Sequence, residues 1–63
     1  MWIKTIDEII LNTKFVVGFA HCKHDDKTYA VLHDGSKNVV QCGDVTDKIV
    51  DGINRDTKYM EVN

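Results

Sequence analysis

The residue types able to do chemistry gather in one short run, His21-Cys22-Lys23-His24, with His33 and Cys42 further along the chain. Zinc takes thiolate and imidazole ligands in a tetrahedron, and residues two apart on one strand, such as Cys22 and His24, point the same way. Structural zinc motifs, however, present paired ligands close in sequence at each end, whereas Cys42 stands alone. Reduced cysteine is among the most buried residue types and packs as a small hydrophobe, so no metal and no cofactor is expected. The catalytic form of the same idea needs an imidazole that draws the proton from a thiol. Neither cysteine is followed by a Gly-rich oxyanion loop, and 63 residues offer little wall for a cleft. No catalytic residue is assigned, and the chain is expected not to be an enzyme.

The remaining charged and titratable residues have plainer explanations. Asp25, Asp26, Asp34, Asp44, Asp47 and Asp51 are numerous, yet none lies in a calcium-loop pattern with its glycine and terminal glutamate. Solvated turns and helix faces account for them. Histidine titrates near neutrality, but half-exposed strand positions suffice to explain all three. Lys4, Lys14, Lys23, Lys27 and Lys37 lie in or beside strand-like segments, with Phe15, Phe19 and Tyr29 nearby, which is the composition of a surface that stacks and neutralises a single strand. Eight basic residues against ten acidic ones give a formal net charge of -2, so no general positive field draws in a phosphate backbone. Lysines guarding sheet edges against aggregation fit better. Single-stranded nucleic acid or an anionic ligand therefore ranks second among partner classes, behind protein.

The elements that must hold these residues are few. A chain of 63 residues fits a single domain, 1–63, with one core. A domain of this size buries only about 60% of the surface its unfolded chain exposes, which makes a partner subunit useful. Hydrophobic residues at 43% and charged residues at 29% are ordinary for a folded globular protein. The longest apolar runs, such as Ile9-Ile10-Leu11 and Ala30-Val31-Leu32, fall far short of the ~20 residues needed to cross a bilayer. The first residues carry Asp7 and Glu8 where a secretory signal needs a basic segment and then a longer apolar one. Two cysteines are fewer than a disulfide-dependent secreted domain carries. A soluble cytoplasmic protein with reduced thiols and no membrane contact is expected.

Proline is absent, so turns must be found from Gly, Asn and Asp. Asp34-Gly35 lies between Thr28-Tyr29-Ala30-Val31-Leu32-His33 and Lys37-Asn38-Val39-Val40-Gln41-Cys42, and predicts a hairpin whose glycine tolerates positive φ. A second hairpin is predicted at His24-Asp25-Asp26-Lys27, after a run from Lys14 to Lys23 dense in β-branched and aromatic residues. Trp2-Ile3-Lys4-Thr5 and Glu8-Ile9-Ile10-Leu11 read as two short strands or one bent strand, and Tyr59-Met60-Glu61-Val62 as a final edge strand or a loose tail. After Gly43 the pattern changes: Val45, Ile49 and Ile53, with Val50 beside them, lay an apolar stripe on a short helix. Asp44 or Thr46 caps its start, and it ends near Asn54-Arg55. Gly52 implies either close packing on the sheet or early fraying. The expected fold is α+β: a small antiparallel β-meander of four to five strands with one amphipathic helix near the C-terminus.

Strict alternation in the run from Lys14 to Lys23 puts Phe15, Val17, Phe19 and His21 on one face and Val16, Gly18, Ala20, Cys22 and His24 on the other. Both faces are largely apolar, and the helix stripe covers only one. The other must meet a curled sheet, the N-terminal strands or another copy of the chain, which favours self-association into a homo-oligomer.

The segment Tyr29-Ala30-Val31-Leu32-His33-Asp34-Gly35, followed by an apolar strand, Gly43 and a helix opened by Thr46-Asp47, together with the start Met1-Trp2-Ile3-Lys4-Thr5, resembles a group of short uncharacterised proteins of Gram-positive bacteria and their phages. The similarity runs from residue 1 to about residue 54, and departs from the pattern where the helix is shorter and carries Gly52 in place of a helix former. The resemblance implies a strand-rich sheet with one helix and a phage or prophage origin; it brings no catalytic residue and no ligand. The expected function is a non-enzymatic protein-protein interaction module that binds through its sheet face or an edge strand.

Overall fold

The computed structural model describes residues 1–62, and its elements run β1 (Trp2–Lys4), β2 (Ile10–Asn12), a 3-10 turn (Thr13–Phe15), β3 (Val16–Cys22), β4 (Lys27–Leu32), β5 (Lys37–Cys42), α1 (Thr46–Asn54) and β6 (Tyr59–Glu61). The class is α+β with one helix near the C-terminus. The strands do not form one meander. β3, β4 and β5 make an antiparallel three-stranded sheet, while β2, β1 and β6 make a second, with β1 antiparallel to β2 and parallel to β6. The cause is the 3-10 turn, which redirects the chain between β2 and β3 so that these consecutive strands never pair. Asn12 Oδ1 accepts the Lys14 N–H at 3.0 Å, and the Thr13 N–H donates to the Met1 carbonyl at 2.9 Å, tying that turn to the start of β1.

The central meander follows its turn residues. Gly35 takes φ +87°, where a side chain would be strained, and Asp34 Oδ1 accepts both the Ser36 N–H and its hydroxyl, at 2.8 and 2.6 Å. At the other hairpin Asp26 is left-handed, with φ 52°, and its carbonyl accepts the Gly43 N–H. The β3–β4 register shifts between Val16 and Gly18. This irregularity corrects the expectation of strict alternation: Val16 and Phe19 both pack against the core, and Val17 is turned out to solvent.

The two sheets and the helix meet in one buried cluster of Ile3, Ala30, Val40, Ile49 and Val62. Each comes from a different part of the chain, β1, β4, β5, α1 and the residue after β6, so the cluster is what joins the layers. Helix α1 turns a slightly different face inward than its four-residue spacing predicts. Ile49 and Gly52 are buried, while Val50 and Ile53 are about half exposed. Gly52 is the reason: a Cβ there would strike the Met60 Cε methyl of β6, with Met1 Sδ 3.4 Å away, so its missing side chain is what lets the helix close on the second sheet. Close packing, not fraying, is its role, and the helix ends at Asn54 as expected. β6 is a true edge strand, held by the Trp2 N–H donating to the Lys58 carbonyl at 2.8 Å.

Candidate functional site

The run that looked richest in chemistry is spread apart by the fold. Cys22 and Cys42 both stand opposite Lys27, one from each side, so two interstrand spacings separate them. That is about 9.5 Å between backbones, beyond the reach of a disulfide. His33 follows the far end of β4, six residues from Lys27, which places it about 20 Å along the strand from Cys22. Among the described residues no three His, Cys, Asp or Glu side chains are placed to share a metal ion. The five lysines are also dispersed: Lys4 pairs with Glu61 at 3.9 Å, Lys14 lies in the 3-10 turn, Lys23 in the β3–β4 turn, and Lys27 and Lys37 open β4 and β5.

A polar cluster does form where β3 meets the start of α1. His21 Nε2 lies 2.8 Å from Asp26 Oδ1, and its Nδ1 lies 3.9 Å from Asp44 Oδ2. On the opposite face of the β3–β4 pair, the Tyr29 hydroxyl donates to Asp25, which holds the Asp25 carboxyl below the ordinary aspartate range and raises the Tyr29 phenol. Ala20, His21, Cys22, Tyr29 and Lys37 border a shallow cavity of about 380 Å³ on the Tyr29 side of the sheet. The groups bond one another and point to no reacting atom, so the cluster serves the turn and the helix start.

Asp44 illustrates that service. Its Oδ1 accepts the Thr46 hydroxyl at 2.6 Å and the Thr46 N–H at 3.0 Å, the hydroxyl being the larger of the influences that lower its carboxyl below the usual range. Neither expected residue is the N-cap, which is Val45 with no side-chain cap bond; Asp44, one residue earlier, accepts the amide of Thr46, the first residue of the helix. A carboxyl depressed in the folded chain adds stability that is present above its unfolded value and lost as pH falls through the folded one. Asparagine keeps the acceptor oxygen and drops the charge. The stability difference between the native chain and Asp44→Asn, read by urea unfolding, is therefore expected to be full near neutrality and to close below about pH 4. A difference that stays constant with pH would assign the effect to something other than the carboxylate.

The feature without a structural duty is apolar. Trp2 and Ile10, from the outer side of the second sheet, and Phe15, from the 3-10 turn, are 48%, 54% and 68% exposed. With Leu11, Asn12, Leu32, His33 and Asp34 they line an open groove of about 490 Å³. Pairing fixes its geometry. Trp2 stands opposite Asn12 on β2 and Tyr59 on β6, while the capped 3-10 turn carries Phe15 across to the end of β4. Leu32 is held there by its N–H donating to the Ser36 carbonyl at 2.9 Å. These residues come from elements far apart in the sequence, so no local spacing marks them; the only sequence signal is Trp2 itself, an aromatic on a strand too short to bury both its sides. Comparison with protein-family models, curated proteins and solved structures gives no match to this chain.

Proposed function

We propose that this chain is a non-enzymatic protein-protein interaction module of phage or prophage origin, acting in the cytoplasm, which takes an apolar segment of a partner protein into the groove of Trp2, Ile10, Phe15 and Leu32. The observation that carries this reading is the exposure of three large apolar side chains, Trp2, Ile10 and Phe15, around a single concavity. Scattered exposed apolar residues are normal, but contiguous ones rimmed by polar groups mark recognition surfaces. Asn12, His33 and Asp34 supply that rim. Aromatic anchors in such settings carry most of a binding energy because they bury large area at little entropic cost. No grouping of lysines favours the second partner class, nucleic acid or another anion.

Trp2 is the sole tryptophan, so the groove reports on itself. Panning a random peptide library against the protein is expected to return sequences with apolar or aromatic anchors, whose binding shifts the Trp2 emission to the blue. Phe15→Asp, at the most exposed of these side chains, is expected to weaken that binding by about tenfold or more while leaving the unfolding midpoint unchanged. A library that yields no binder able to move the Trp2 emission, or equal binding by the variant, would refute the reading.

A further inference from the structure

The edges of the two sheets are unequally protected. β2 and β6 span three residues each, too short to template another strand. β5 opens on Lys37, and its Val40 carbonyl accepts the Ile6 N–H at 2.8 Å, so part of its outer row is already in use. β3 is different. It runs seven residues, pairs only with β4, and carries no lysine, acid or proline between Val16 and Cys22. Among the described residues no backbone bond outside the β4 ladder ends on residues 18–22. An edge left long and uncharged is one that natural proteins otherwise cover.

We propose that a second copy of this chain pairs antiparallel with this edge, residues 18–22 against residues 18–22, across a twofold axis at Ala20. A twofold interface must be self-complementary, and the regular part of β3, which begins at Gly18 after the register shift and ends at Cys22, is centred on Ala20. In this register Ala20 faces the second copy's Ala20, and Gly18 faces the second copy's Cys22. Small side chains sit where the copies meet: Ala20 is exposed, and nothing lies within 4 Å of where a Gly18 side chain would be. Symmetry selects the direction, since a twofold axis normal to the sheet relates two copies of one edge only in the antiparallel sense. Lys14 then comes opposite the second copy's Asp26, an acid that Lys23 and Lys27 flank in the chain. The product is a continuous six-stranded sheet, with the two grooves lying away from the axis.

Light scattering across a concentration series tests this directly. The native chain is expected to reach the mass of a dimer. Ala20→Lys and Ala20→Glu each set like charges face to face and are expected to weaken dimerisation about fivefold or more, while a mixture of the two variants regains it as a heterodimer. Ile10→Asp, in the groove but on the second sheet, is expected to weaken peptide binding and to leave the dimer intact, so this surface and the groove fail separately. A native chain that stays monomeric throughout, a dimer indifferent to both Ala20 variants, or a dimer lost with Ile10→Asp would each overturn the proposal. If either charged variant fails to fold, Ala20→Cys in a Cys22→Ser, Cys42→Ser background reads the same axis: oxidation is expected to yield a covalent dimer, and its absence overturns the proposal.

Discussion

Replacing Ile49 with alanine is expected to remove about 2–5 kcal/mol of folding stability, a loss of the size expected for truncating a fully buried isoleucine. Ile49 has no exposed surface, and it is the helix residue in the buried cluster, where it meets Ile3 of one sheet and Ala30 and Val40 of the other. Deleting its outer atoms leaves a cavity that two sheets and a helix would have to collapse together to fill. A domain of this length has a total stability of about 3–9 kcal/mol at ordinary values per residue, so the variant is expected to be partly unfolded without denaturant. Ile49→Val should cost only about 0.5–1.5 kcal/mol. The informative control is Ile53→Ala, four residues on in the same stripe. Ile53 is 48% exposed, so its truncation should cost far less. Urea unfolding, followed in parallel by circular dichroism and Trp2 emission, separates these outcomes. Equal losses at Ile49 and Ile53 would mean that the helix faces the core as its four-residue spacing implies, not as Gly52 allows.

The contrast between those two isoleucines shows where the sequence was legible and where it was not. Local chemistry was enough for the β3–β4–β5 meander, because Asp34-Gly35 and the Asp25-Asp26 turn act on their own neighbours and the β-branched runs between them have no competing period. It was enough for the existence and the end of α1. It was not enough for the rotation of α1, since a repeat of four drifts against 3.6 residues per turn and the tie is broken by a contact with Met60. Nor did it divide the strands into two sheets. β1, β2 and β6 have three residues each, too few to show a period, and β1 meets β6 in parallel from the opposite end of the chain. The register shift in β3 was likewise invisible, because Val16 and Val17 are the same residue type and only the partner strand decides which one faces inward. The groove was hidden for a related reason: Trp2, Ile10 and Phe15 each look like ordinary strand or core residues until tertiary packing leaves them outside.

A buried hydroxyl gives the sharpest test of how these pieces are locked together. Thr28, on β4, has no exposed surface, and its Oγ1 donates to the Gly43 carbonyl at 2.7 Å while accepting the Val45 N–H at 3.0 Å. One hydroxyl fills both roles and fastens the central strand to the connection that launches α1, where the Val45 carbonyl in turn accepts the Ile49 N–H at 3.1 Å. Thr28→Val keeps the shape and deletes the bonds, leaving the carbonyl of half-buried Gly43 and the amide of half-buried Val45 facing a methyl group in place of the hydroxyl. The expected loss is about 1–3 kcal/mol, because an unmade bond to a desolvated group costs more than a made one contributes. Thr28→Ser keeps both bonds and gives up one methyl, for about 0.8 kcal/mol. Serine should therefore be the milder substitution, although valine is the more hydrophobic and the better strand former. Faster hydrogen exchange at the Val45 amide in the valine variant alone would locate the defect. The consequence reaches the groove, since the far end of α1 holds the β6 side of the second sheet through the Thr57 N–H to the Gly52 carbonyl, and β6 holds Trp2. If valine at position 28 proves as stable as serine, burial alone holds this connection, and the hydroxyl has no part in it.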